Sequence, residues 1–86
     1  MYQWSVFVAD LEPVIGREQG SRRPVLVVSA EPLNKFYEVV TVVPITSRKN
    51  SRAARPGEVL LAPGTGGLRQ ESFALCYQAR ALDKSR

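Results

Sequence analysis

The sequence predicts a small, mainly β domain folded as an antiparallel barrel. Five short apolar runs, Trp4 to Ala9, Val25 to Val28, Val39 to Ile45, Val59 to Leu61 and Phe73 to Tyr77, are separated by Gly, Pro and polar clusters. Each run is too short for a helix, and their Val, Phe and Tyr content with turn signals at both ends is that of strands. At 86 residues the chain makes one domain, 1–86, which buries only ~60% of the surface its unfolded form would expose. Several closely spaced strands in so short a chain suit a barrel better than a sandwich.

The first run leads to a turn marked by Pro13 and Gly16, and the second begins after Arg22-Arg23-Pro24. Glu31-Pro32-Leu33-Asn34-Lys35 marks the next turn, with one short helical turn expected at Glu31 to Phe36. In the third run Pro44 has no N–H for a ladder, so this strand is expected at an edge or bulged where it reaches Thr46. Pro56-Gly57 and Pro63-Gly64-Thr65-Gly66-Gly67 mark the last turns. Asp83 has the chemistry of a helix cap, but the sequence given stops at Arg86 and leaves nothing to be capped. Trp4 and Phe7 read as core or interface, and Gln78 with Arg80 as a buried hydrogen-bonding pair.

Composition, 44% apolar and 23% charged, is that of a soluble globular domain, and no run reaches the ~18 apolar residues of a membrane span. The N-terminus lacks the pattern of a secretory signal, so the expected compartment is the cytoplasm. Cys76, the one cysteine, reads as a small buried hydrophobe of the last strand. The net charge of +4 is uneven: residues 1–44 carry four Lys/Arg against five acids, and 45–86 carry eight against three. Arg48, Lys49, Arg52 and Arg55 share one polar stretch without an acid, which suits a polyanion such as nucleic acid and equally a solvated loop.

With no histidine, the commonest acid–base side chain is missing and a Ser-His-Asp mechanism is excluded. One cysteine and scattered carboxylates give no zinc spacing, so no metal or other cofactor is expected. The glycines are not spaced as a nucleotide-binding loop. The remaining inventory suits cleavage of RNA by its own 2′-hydroxyl, where the substrate supplies the nucleophile. The protein must then supply a base, charge for the phosphoryl oxygens and a proton for the leaving 5′-oxygen.

Gly16-Arg17-Glu18-Gln19-Gly20-Ser21-Arg22-Arg23-Pro24 contains the parts of a phosphate-handling loop, and Thr46-Ser47 follows the third run. If those strands pair, loop and hydroxyls converge. Arg23 would grip a phosphate with its planar fork and Thr46 would add a hydroxyl donor. An arginine stays protonated at neutral pH, so Arg23 is a fixed charge first and a proton donor only to a strongly basic leaving oxygen. Glu18 is the nearest base in sequence, though a carboxylate with an ordinary pKa of ~4.3 is weak unless its surroundings raise it. Read alone, Arg23 is more often a surface cation, and Thr46 and Ser47 are more often turn-forming hydroxyls. Phe36 or Tyr37 on a loop could stack on a base.

These residues resemble the MazF/PemK-type toxins of bacterial toxin–antitoxin systems. The resemblance is carried by Asp10-Leu11-Glu12-Pro13, by Gly16 to Val28 with its Glu-Gln-Gly-x-x-Arg-Pro element, by Val43-Pro44-Ile45-Thr46-Ser47 and by Gln78 to Arg86. It implies an SH3-like barrel of the CcdB/MazF type, a homodimer, acting as a metal-independent endoribonuclease on single-stranded RNA, mRNA above all, at short motifs. The products implied are 2′,3′-cyclic phosphate and 5′-hydroxyl ends. The implied catalytic residues are Arg23, Thr46 and Glu18; RNA contacts are expected from Gln19, Ser21, Arg22, Ser47, Arg48, Lys49, Arg52 and Arg55. A cognate antitoxin with an acidic tail would neutralise the basic toxin.

Two departures from the family pattern are visible. Trp4-Ser5 stands where a Gly-Asp pair is common, and the sequence ends at Arg86 where relatives continue into a C-terminal helix, whose loss would expose apolar surface. Two other readings remain beside the nuclease. One is a non-enzymatic gyrase poison like CcdB, which would lack the Arg-Pro loop and end in an apolar tripeptide, unlike Lys84-Ser85-Arg86. The other is a catalytically degenerate RNA-binding barrel.

Overall fold

A computed structural model describes residues 2–11, 22–48 and 52–86 of the chain. Six strands, β1 (Val6–Asp10), β2 (Arg22–Val27), β3 (Val39–Ser47), β4 (Glu58–Leu61), β5 (Ser72–Leu75) and β6 (Arg80–Asp83), and one helix, α1 (Glu31–Phe36), make up the regular structure. All pairings among the described strands are antiparallel, in the order β1-β2-β3-β5-β4 with β6 also on β3. The sheet is barrel-like without closing, because β1 and β4 remain its two ends.

The nine residues of β3 hold the fold together. One side pairs with β2 from Val42 to Pro44. The other side pairs with β6 from Val39 to Val42, and then with β5 from Ile45 to Ser47. The strand is therefore central, not an edge as Pro44 had suggested. Pro44 is tolerated because it lies in the interval where that second side passes from β6 to β5, so the missing N–H interrupts no ladder there.

Alternation along these strands buries Val40 and Val42 of β3 with Val25 and Val27 of β2, Ala9 and Leu11, and Leu82 of β6, and Tyr2 packs against this cluster. At the other end of β3, Ile45 is buried together with Phe73, Ala74 and Leu75 of β5. Each full burial of such a side chain is worth about 1.5–3 kcal/mol. A cavity of about 260 Å3 opens onto the first cluster between Phe7 and Lys84.

The helical turn expected at Glu31 to Phe36 is α1, with proline in its first turn and Lys35 in its last, positions that suit the missing N–H of proline and the helix dipole. Its Glu31 carboxylate accepts the backbone N–H groups of Tyr2 and Gln3, and the Gln3 bond, first among several causes, holds that carboxyl below its ordinary value. Asn34 is fully buried and donates to the Ser29 carbonyl at 2.7 Å. The chain start is thereby fastened to the helix.

Several sequence expectations are corrected. β6 was not expected: in Arg80-Ala81-Leu82-Asp83 only Leu82 is buried, so its alternation is faint. Asp83, expected to have no helix to cap, is the last residue of that strand. β5 ends at Leu75, and Cys76 lies in a following 3-10 turn, Cys76–Gln78, where it is exposed. Of the two readings for Trp4 and Phe7, core or interface, the core one does not hold, since Trp4 is 64% exposed and Phe7 is exposed as well. Trp4 has φ +67° at the third position of a turn closed by Ser5 N–H donating to the Tyr2 carbonyl at 3.0 Å. That position favours glycine, which gives a physical reason for the Gly-Asp pair that the resemblance sets there.

Candidate RNA-binding and catalytic site

β2 and β3 bring the predicted groups together. In the β1–β2 ladder Ala9 pairs with Arg23 and Asp10 with Arg22. In the β2–β3 ladder Val25 pairs with Pro44 and Leu26 with Val43, and carrying that register on by two residues sets Arg23 level with Thr46. Thr46 in turn pairs with Phe73 and Ser47 with Ser72 across β3 and β5. Thr46 and Ser47 are thus strand residues, not the turn after a strand.

At this end of the sheet lies a cavity of about 390 Å3. Arg22, Arg23 and Pro24 line it from β2, and Ile45, Thr46 and Ser47 from β3. Leu68, Arg69 and Gln70 line it from the approach to β5, and Ser72 from β5 itself. Arg23 and Thr46 are half-buried, whereas Arg22 and Ser47 are exposed. No acid lines the cavity among the described residues, so its three guanidinium groups give a positive field suited to an anion. Arginine forks and a hydroxyl around one space can donate to several phosphoryl oxygens at once.

The basic stretch after β3 is built differently from what its composition suggests. Arg48 donates from Nη1 to Glu71 Oε1 at 2.9 Å and from Nε to the Arg52 carbonyl at 2.8 Å. Arg52 forms a two-pronged pair with Glu58, Nη1 to Oε1 at 2.8 Å and Nη2 to Oε2 at 3.1 Å. Its guanidinium also lies over the Phe73 ring, 4.3 Å from the centroid. The Arg55 backbone N–H donates to the same carboxylate at 2.8 Å. The Arg52 bonds, followed by the Arg55 N–H, hold the Glu58 carboxyl down to about 2. Arg48 and Arg52 therefore spend their charge on carboxylates of β4 and of the approach to β5, and with Arg55 they do not line the cavity.

Glu18, Gln19, Ser21 and Lys49 lie outside the described residues. Phe36 and Tyr37 are exposed, with their rings 4.9 Å apart edge to face. Arg80 donates from Nη1 to the Leu11 carbonyl at 3.1 Å. Sequence reasoning missed the wall made by Leu68, Arg69 and Gln70. The available signal was a cation placed directly after a Gly-rich turn and just before a strand, the same arrangement that drew attention to Arg23. Among the described residues no acidic or cysteine cluster could hold a metal ion, and no helix is long and apolar enough to cross a membrane.

Comparison with known proteins bears on this site. A family model described as PemK-like, MazF-like toxin of type II toxin-antitoxin system matches residues 2–86. The Endoribonuclease MazF of Staphylococcus saprophyticus is 40% identical over 86 residues, covering 100% of this chain and 71% of that protein. The crystal structure of MazF (Form-I) from Deinococcus radiodurans superposes with a TM-score of 0.74 at 32% identity, covering 94% of this chain and 68% of that one.

Proposed function

This chain belongs to the PemK-like, MazF-like toxin family of type II toxin-antitoxin systems, and on that footing we propose that it is an endoribonuclease that cuts single-stranded RNA, including mRNA, at short sequence motifs. The single observation that supports this most is that Arg23 and Thr46 line one cavity that no acid lines among the described residues.

In the proposed reaction a base, Glu18, takes the proton of the 2′-hydroxyl, and the 2′-oxygen bonds to phosphorus. The bond from phosphorus to the 5′-oxygen breaks, leaving a 2′,3′-cyclic phosphate, and the departing oxygen, strongly basic as it leaves, takes a proton from Arg23, which regains one from water, to become a 5′-hydroxyl. Negative charge builds on the phosphoryl oxygens between these events. Arg23 opposes it with a fixed positive charge and Thr46 donates its hydroxyl, an arrangement that acts most strongly where charge develops. No metal is required, because the nucleophile is the substrate's own. Gln19, Ser21, Arg22 and Ser47 would hold the RNA beside this centre, and Lys49 and Arg55 would add charge further out. A homodimer neutralised by an antitoxin with an acidic tail completes the proposal, the positive cavity being attractive to both RNA and acidic peptide.

The deciding experiment incubates the purified protein with a long unstructured RNA in excess EDTA and maps the ends. Cuts at a repeated short motif with 5′-hydroxyl ends are expected. RNA that stays intact yet bound would make the chain a degenerate RNA-binding barrel, and RNA neither cut nor bound would turn the question to gyrase.

A further inference from the structure

One wall of the cavity has no assigned role. After the 3-10 turn Thr65–Gly67 the chain runs through Leu68, Arg69 and Gln70 into β5, and all three line the cavity with Arg23 and Thr46. In the sheet order β2-β3-β5, Arg23 comes from one neighbour of β3 and Arg69 from the approach to the other. Thr46 of β3 therefore stands between them. Two strand spacings of ~4.8 Å separate the flanking backbones, so the two guanidinium groups enter the cavity from opposite sides of Thr46.

We propose that Arg69 is a substrate-binding residue that grips an RNA phosphate next to the scissile one, so that the strand crosses β3 from Arg23 to Arg69 over Thr46. This rests on the endoribonuclease reading above. Three observations carry it. Arg69 is exposed and makes no hydrogen bond or ion pair among the described residues, in contrast to Arg48 and Arg52 with their carboxylate partners. Among the described residues the cavity offers it no acid. The backbone on both sides of Arg69 is pinned: Gly64 N–H donates to the Leu68 carbonyl at 2.7 Å and Leu68 N–H to Thr65 at 2.9 Å. Beyond it, Ser72 Oγ donates to the Gln70 carbonyl at 3.1 Å and Arg48 holds Glu71 through both its backbone N–H and its guanidinium. With the backbone already held, only the side-chain rotamers of Arg69 remain to be ordered when it grips a phosphate.

The test uses a fully 2′-O-methylated single-stranded oligonucleotide, which binds but lacks the nucleophile, and cleavable RNA of the same sequence. For Arg69→Gln, the slope of log affinity against log salt should become shallower by ~0.7, the share of one phosphate on a single strand. KM should rise about tenfold with kcat within about twofold, and Arg69→Lys should keep most of the slope. The control is Lys84→Gln, whose ammonium lies over the Tyr2 ring at the other cavity and whose slope should stay at the wild-type value. An unchanged slope and KM in Arg69→Gln overturns the proposal, as does an equal loss in Lys84→Gln, which would make the effect one of net charge. If the wild type binds the oligonucleotide but cuts nothing, the nuclease reading fails while the slope still decides the Arg69 contact. If the wild type cuts and Arg69→Gln matches it throughout, the Arg69 contact alone fails.

Discussion

Arg52 lies over the ring of Phe73, and Phe73 is the residue that pairs with Thr46 across β3 and β5. Arg52 is thus set against the strand pair that carries the Thr46 hydroxyl. Glu58, its side chain almost wholly buried, fixes that arrangement by holding the Arg52 fork.

Removing one member of this pair leaves the other without its partner in a poorly solvated place, whereas removing both does not. Arg52→Met should therefore lower the thermal midpoint more than Arg52→Met combined with Glu58→Leu. A double variant less stable than the single one in calorimetry would count against the pair as the element that fixes this arrangement.

Acid should weaken the fold with a definite sign. The Glu58 carboxyl is held at about 2 in the folded protein against ~4.3 for a free glutamate, and Glu31 and Asp83 are lowered as well. A depressed carboxyl contributes stability that is fully present above its unfolded value and is lost as pH falls through the folded one. Urea midpoints measured between pH 6 and pH 2 should fall, and Glu58→Gln, already weaker at pH 6, should fall less. Parallel curves for the two proteins would remove Glu58 from the acid response.

Trp4→Gly should raise the midpoint of unfolding. A non-glycine residue in the left-handed region costs about 1–2 kcal/mol, and the greater freedom of glycine in the unfolded chain returns about 0.5–1 kcal/mol of that. With Trp4 64% exposed, little packing is lost. A gain of about 1 kcal/mol in chemical denaturation is expected; a loss would mean that the indole is covered by something in solution.

Gly66→Ala should act in the opposite direction. Gly66 has φ +55°, and a β-carbon there would overlap Val6 Cγ2 at the start of β1. Left-handed strain alone comes to about 1–2 kcal/mol, and the overlap adds to it. Because the same turn leads into Leu68 and Arg69, RNA affinity should fall together with the melting temperature.

For the chemistry itself, Thr46→Ala should lower kcat by roughly 10²–10³, the range for loss of one donor to a developing oxyanion, with circular dichroism unchanged. Thr46→Ser should retain much of the rate. Near-normal cleavage by Thr46→Ala would exclude its hydroxyl from the reaction.

The strands legible in the sequence were those whose β-branched and aromatic runs end at Gly or Pro, and β3 and β4 were located to within two residues of their ends. What stayed hidden has physical causes. β6 buries a single side chain, so its pattern does not rise above that of a loop. Pro44 looked like an edge residue because composition cannot show that a strand changes partners midway. Arg23 and Thr46 were singled out in the sequence by the motifs of the resemblance, and the pairing of β2 with β3 brings the two level at one cavity. The neutralisation of Arg48 by Glu71 was not legible, since the two lie 23 positions apart, and a run of cations without acids in one window reads as free charge when its partners arrive from elsewhere. Arg69 was obscured by its ordinary setting after a glycine turn.

Because β3 is bonded to β2, β5 and β6 within nine residues, it works as the keel of the molecule, with Thr46 near one tip. Leu68, Arg69 and Gln70 hang from the gunwale, outside the regular strands. On the reading proposed above, substitutions at those three positions would change how firmly an RNA strand is moored while the keel and Thr46 keep their shape.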